Sequence, residues 1–253
     1  MSRWNVFAVS LITLLVCCSM YRALSQEPEL IGRWPLDETS GNVVHDEIAN
    51  NNGEFVGGDL EWVQANFDNG LQFDGTAKYV NIPKNPDLEP QTLTLCMWVK
   101  FNSVAAHNRQ DIFCYADSYQ ILKMGSVFRG GIHQGGGWPN AIGVTAIQDG
   151  EWYFVAETYD GKDLKLYVNG EPDGTIAAAG NIDYMANVEF WLGGAAGDVG
   201  QAFWFDGILD EVQVWNKAMT EDEIMELYQS PLPSSAVSWE GKLATTWGNL
   251  KAR

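Results

Sequence analysis

Turn-forming pairs punctuate this chain at short intervals. Asp74-Gly75, Gly125-Ser126, Asp160-Gly161, Asn169-Gly170 and Asp206-Gly207 separate runs rich in Val, Ile, Leu, Phe, Tyr and Trp. In most of these pairs a glycine that accepts left-handed backbone follows an Asx side chain that can bond its own main chain, so the chain reverses there. Between turns, apolar residues recur at every second position, the period of a strand. Long helical patterns are almost absent. In run 92–101, Leu93, Leu95, Met97 and Val99 line one face, and Cys96 and Trp98 the other. A strand apolar on both faces is central and covered on both sides. In run 208–215, Ile208, Asp210, Val212 and Val214 alternate with Leu209, Glu211, Gln213 and Trp215. It also reads as a central strand, with Asp210 directed inward.

Shorter strands are predicted at 30–36, 70–73, 79–82, 112–115, 119–124, 127–133, 152–159, 164–168, 175–177 and 188–192. Pro35 lacks an N–H and marks an edge or bulge. Segment 43–55 reads as a loop. One helix is predicted after the last strand. Thr220 with Glu223 forms a capping box, and Ile224, Leu227 and Tyr228 follow at helical spacing. About a dozen short strands and one short C-terminal helix predict an all-β fold, two antiparallel sheets packed face to face as a jelly-roll sandwich.

Residues 1–25 have the plan of a secretory signal. Arg3 precedes the apolar run 6–18, and Ala23-Leu24-Ser25 places small residues before a cut at Gln26. The alternative is an uncleaved anchor, although about 13 apolar residues are few for a membrane span. Residues 26–229 form the domain and 230–253 a linker and short tail. The expected location is secreted, cell-surface or periplasmic, with no stable span once the leader is removed. Acids number 33 against 15 bases, for a formal net charge of −18. That charge repels a phosphate backbone and excludes nucleic-acid partners. Past the leader only Cys96 and Cys114 remain. In an oxidising compartment they form either one disulfide or two buried thiols.

Asp46, Asn50, Asn51, Asn52 and Gly53 crowd oxygen donors into one loop. Such a loop is either part of a calcium site completed from elsewhere or a plain Asx-rich turn. Asp210 lies between apolar neighbours, so its carboxylate needs a metal, a counter-charge or N–H donors. A glycosidase requires two acids at i and i+2 or i+4 on one strand. A motif such as Glu-x-Asp-x-x-Glu is absent, and Asp210 and Glu211 are adjacent and so face opposite sides. His45, His107 and His133 are dispersed, and no serine stands in a nucleophile elbow. The expected protein is not an enzyme. Loop 134–140 carries Trp138 among three glycines, with Asn140 beside it. Trp138 is either an exposed platform for a ligand or a plug at the end of the core. His107, Arg109 and Asp111 are candidate polar contacts. Trp98, Trp152, Trp191, Trp204 and Trp215 read as core.

The segments IGRWPLDE (31–38), GLQFDG (70–75), TLCMWVK (94–100), WYFVAETYDG (152–161), LYVNG (166–170) and FDGILDEVQVW (205–215), in this order, resemble laminin-G-like modules of secreted bacterial proteins. These belong to the concanavalin A-like lectin/glucanase superfamily. The resemblance spans about 30–228 and implies a jelly roll that binds glycans or extracellular proteins, in many relatives with a structural calcium ion at the rim. It places that ion at Asp46, Asn50, Asn52 and Asp210. A protein-interaction or structural cell-surface domain is the alternative, and a polysaccharide-active enzyme a more distant one.

Overall fold

The computed structural model describes residues 30–116, 118–186, 189–194 and 203–230. The predicted leader and the tail beyond Ser230 lie outside them. The described residues form sixteen strands: β1 Leu30–Trp34, β2 Val43–Val44, β3 Gly53–Val56, β4 Glu61–Gln64, β5 Asn69–Asp74, β6 Tyr79–Ile82, β7 Leu93–Phe101, β8 Arg109–Tyr115, β9 Tyr119–Met124, β10 Val127–Ile132, β11 Asn140–Ile142, β12 Trp152–Tyr159, β13 Asp163–Val168, β14 Glu171–Ala177, β15 Phe190–Leu192 and β16 Asp206–Trp215. One helix, α1, spans Glu221–Gln229.

All strand pairs are antiparallel, in two eight-stranded sheets. The first runs β14-β13-β12-β7-β16-β5-β4, with β1 also on β16. The second runs β11-β10-β9-β8-β15-β6-β3-β2. The two runs read as central, β7 and β16, lie side by side in the first sheet. Strands β2, β3, β4 and β11 carry no run long enough to show a period, so alternation alone does not predict them.

The main core lies between the sheets. It includes Leu93, Leu95, Met97 and Val99 of β7 and Phe113, Tyr115, Tyr119 and Phe128 of the second sheet. A satellite cluster covers the outer face of the first sheet, where Cys96, Trp98, Phe154 and Trp215 pack with Ile224 and Leu227 of α1. The capping box is formed: the Glu223 N–H donates to Thr220 Oγ1 at 3.3 Å, and the Thr220 N–H to Glu223 Oε2 at 2.9 Å. The Tyr228 ring stacks on Trp98 at 5.5 Å. Through that cluster the helix closes one outer face of the sandwich, and the other has no such cover among the described residues.

Two readings are corrected here. Strict alternation fails in β16, because Asp210 stands opposite Trp98 but Gln213 opposite Cys96, one residue more on β16 than on β7. That extra residue is a bulge, and Glu211 within it has φ 54°. Leu209, Val212 and Val214 therefore all reach the core. Asp210 faces outward beside Trp98, not inward with Val212. The disulfide is also excluded, because Cys96 and Cys114 are both buried and no disulfide joins them. Cys96 lies in the satellite cluster outside the first sheet. Cys114 lies between the core residues Phe113 and Tyr115 in β8, so alternation turns it to the outside of the second sheet. Sheets about 10 Å apart stand between two thiols pointing away from each other.

Candidate functional site

The outer face of the second sheet carries no helix among the described residues and is a band of rings and polar groups. In it Asp111, Cys114 and Gln120 are buried, and Tyr79, Asn81, Arg109, Asn140, Trp191 and Trp204 half-buried. Register places its side chains in rows. Asn140 stands opposite Gly131, Gly131 opposite Gln120, Gln120 opposite Cys114, Cys114 opposite Trp191, and Trp191 opposite Asn81. At about 4.8 Å per strand, this row runs about 24 Å from β11 to β6. On one half, the Trp191 Nε1–H donates to Asn81 Oδ1 at 2.9 Å. Tyr79 lies 5.5 Å from the Trp191 ring and stacks on Trp204 at 5.9 Å. Gly194 admits Trp204, since a Cβ there would stand 2.5 Å from the indole. All three rings are half-buried, leaving part of each to solvent.

The other half is polar. Arg109 Nε and Nη2 donate to the two oxygens of Asp111 at 2.6 and 2.9 Å, and Nη2 reaches Gln120 Oε1 at 3.4 Å. The guanidinium lies 4.1 Å from the centre of the Phe203 ring. Burial raises the Asp111 pKa, against the pull of Arg109. Gly131 forms a notch between Gln120 and Asn140, because a Cβ there would come within 2.7 Å of Asn140 Oδ1.

Of the five residues read as ligand contacts, Arg109, Asp111 and Asn140 share this face. Trp138 stands at its β10–β11 corner, half-buried, with its ring 5.3 Å from His133. It is neither a plug in the core nor a fully bare platform. His107 lies apart: its Nε2 is 3.0 Å from the Gly75 carbonyl. Tyr79, Asn81, Gln120, Trp191 and Trp204 were missed. The reading of Trp191 and Trp204 as core is corrected, because alternation in β15 buries Phe190 and Leu192 and turns Trp191 out. That alternation was readable, but which sheet face lacks a cover was not.

The residues read as calcium ligands do not fit that ion. Both oxygens of Asp46 are taken by N–H donors: the main chain of Arg33, Ile48, Ala49 and Asn51, and the Asn51 amide, at 2.8 to 3.2 Å. Asn52 Oδ1 accepts the Asp46 N–H at 2.9 Å, and Asn50 is exposed with φ 59°. The plain Asx turn describes this loop. Asp210 is separately engaged. Its Oδ2 accepts the Phe67 N–H at 2.8 Å, while Oδ1 is buried without a partner. Burial pushes its pKa up to about 8, opposed by that hydrogen bond. The cation between the Asp46 loop and β16 is an arginine. Arg33 is 2% exposed, its Nη2 lies 2.9 and 3.0 Å from the Glu211 oxygens, and its Nη1 lies 2.8 Å from Glu47. Among the described residues no three His, Cys, Asp or Glu side chains form a metal group.

The family model of the concanavalin A-like lectin/glucanases superfamily matches residues 74–225, and the chain belongs to that superfamily. Among solved structures, domain 4 of AbnA, a GH43 extracellular arabinanase from Geobacillus stearothermophilus, in complex with arabinotriose, aligns at 18% identity and TM-score 0.61, over 81% of this chain and 100% of that one. The binding domain of Paraclostridial Mosquitocidal Protein 1 aligns at 15% identity and TM-score 0.62, over 79% of this chain and 51% of that one. Trypanosoma rangeli sialidase, in complex with the inhibitor DANA, aligns at 16% identity and TM-score 0.58, over 79% and 33%. The chain therefore spans the whole of the first neighbour, about half of the second and a third of the third. At these identities the likeness is one of fold. No curated protein matches the chain.

Proposed function

We propose that this chain is an exported, non-catalytic binding module that takes a saccharide on the outer face of its second sheet. The observation that carries the reading is the half-exposed group Tyr79, Trp191 and Trp204, set beside Asn81 and the Arg109–Gln120–Asn140 side chains. Sugar rings present apolar C–H faces and a rim of hydroxyls. Rings next to fixed amides and a guanidinium match both. The rings are braced by one another and by the Trp191–Asn81 hydrogen bond, so little freedom is lost on binding. A binding rather than hydrolytic role is supported by the state of Asp111, whose two oxygens are engaged by Arg109. The fold shared with an arabinanase domain in complex with arabinotriose also supports it. Export follows from the signal-like leader and needs its own test, by locating the chain in fractionated cells.

The reading is tested on a glycan array followed by calorimetry. Trp191→Ala and Tyr79→Ala should each weaken binding about tenfold, roughly 1.4 kcal/mol, with Tm close to that of the wild type. Unchanged affinity in both variants would remove this face as the site. A protein partner is the second reading. Ile142 and Val144, 51% and 82% exposed at the β11 edge, favour it. Their replacement by Ser would then abolish capture of the partner and leave saccharide binding intact.

A further inference from the structure

We propose that the saccharide is an acidic one, bearing a carboxylate or sulfate, and that Arg129 reads that group. The inference rests on the saccharide reading above and adds the charge of the ligand. In β10, Phe128 is fully buried in the core. Gly130 faces the core as well, since a Cβ there would stand 2.6 Å from Glu157 Oε2 on the opposite sheet. Alternation therefore turns Arg129 onto the open face. Its cross-strand neighbours there are Leu122 and Ile142, so no acid stands opposite it on either side.

The guanidinium is left without an acid. Arg129 Nε is buried and has no hydrogen-bond partner. The other two arginines among the described residues are both paired, Arg33 with Glu211 and Glu47, and Arg109 with Asp111. In a chain with 33 acids and 15 bases, an arginine without an acid partner runs against the average composition. The acids around it are placed elsewhere. Asp111 gives both oxygens to Arg109, Asp183 lies 3.3 Å from His133, and Glu54 stands on β3, toward the far edge of the sheet. A planar guanidinium binds a carboxylate or sulfate through two parallel hydrogen bonds. The wider negative charge of the chain repels an anion at long range, so affinity for the acidic ligand should rise with added salt until the local contact is itself screened.

The test uses the full chain on an array of matched neutral, uronate-bearing and sulfated glycans. The hits are then measured by calorimetry, each uronate beside its methyl ester. Acidic glycans should bind about tenfold or more tightly than their neutral counterparts. Arg129→Met should remove that difference and keep the neutral affinity, and Arg129→Lys should retain part of it. The two acidic arms decide between carboxylate and sulfate. Tm of each variant checks the fold, and in wild type the Arg129 Nε–H resonance should shift on titration with the acidic ligand alone. Equal affinity for acid and ester overturns this inference and leaves the saccharide reading standing. So does an acid preference that survives in Arg129→Met. No hit on the array overturns both.

Discussion

Asp210 carries the strongest residue-scale consequence. It is 0% exposed, one of its oxygens has no partner, and burial holds its pKa near 8. The folded protein keeps this proton where the unfolded chain, with an ordinary aspartate, has lost it. Between about pH 4 and 8 the unfolded state therefore binds fewer protons, and stability falls as pH rises through that window. Glu211, pushed up to about 7 by burial despite Arg33, adds to the same slope. Asp210→Asn should flatten the slope and should be at least as stable as wild type at pH 8. Each pH unit inside the window is worth at most about 1.4 kcal/mol per group. Melting curves at pH 5 and pH 8 check this, and a variant less stable than wild type at pH 8 would contradict it. The need of this carboxylate for a partner was visible in ILDEVQV. The partner, the Phe67 N–H, was not, because it lies 143 residues away and is brought there by folding.

At the scale of elements, α1 was the most legible. The cap and the spacing are local, so Thr220, Glu223, Ile224 and Leu227 state both the start of the helix and its buried side. Thr220→Ala should cost about 1 kcal/mol, a Tm drop of about 2–4 °C for a domain of this size. A loss of several times that would mean the helix docks through the cap itself. The main strands were legible for the same reason, their period of two. The β16 bulge was not. Its one extra residue arises where β16 leaves β5 for β1 as a neighbour, Leu209 being the last residue paired with β5 and Val212 the first paired with β1. No periodicity carries that change of partner. The short edge strands β2 and β11 take their extended form from the sheet edges they join rather than from their own residues.

For the whole molecule, Arg33 joins the Asp46 loop to β16, and both Asp46 oxygens are taken by N–H donors. Excess chelator should therefore leave Tm unchanged within about 1 °C, as should added calcium, since a ligand stabilises only by binding the folded state. A rise with calcium would restore the rim site. Reducing agent should be equally without effect, given two thiols that form no disulfide and lie on opposite outer faces.

The two-sheet sandwich, its central strands, its closing helix and its superfamily were readable because each rests on spacing along the chain or on residues adjacent to one another. The position of Asp210, the separation of Cys96 from Cys114, the arginine at the rim and the face that presents Tyr79, Trp191 and Arg129 were decided only by tertiary structure. Each depends on which of two faces a covering element occupies, or on partners far apart in sequence. A period of two states that a strand has two faces, but packing alone determines which of them meets water.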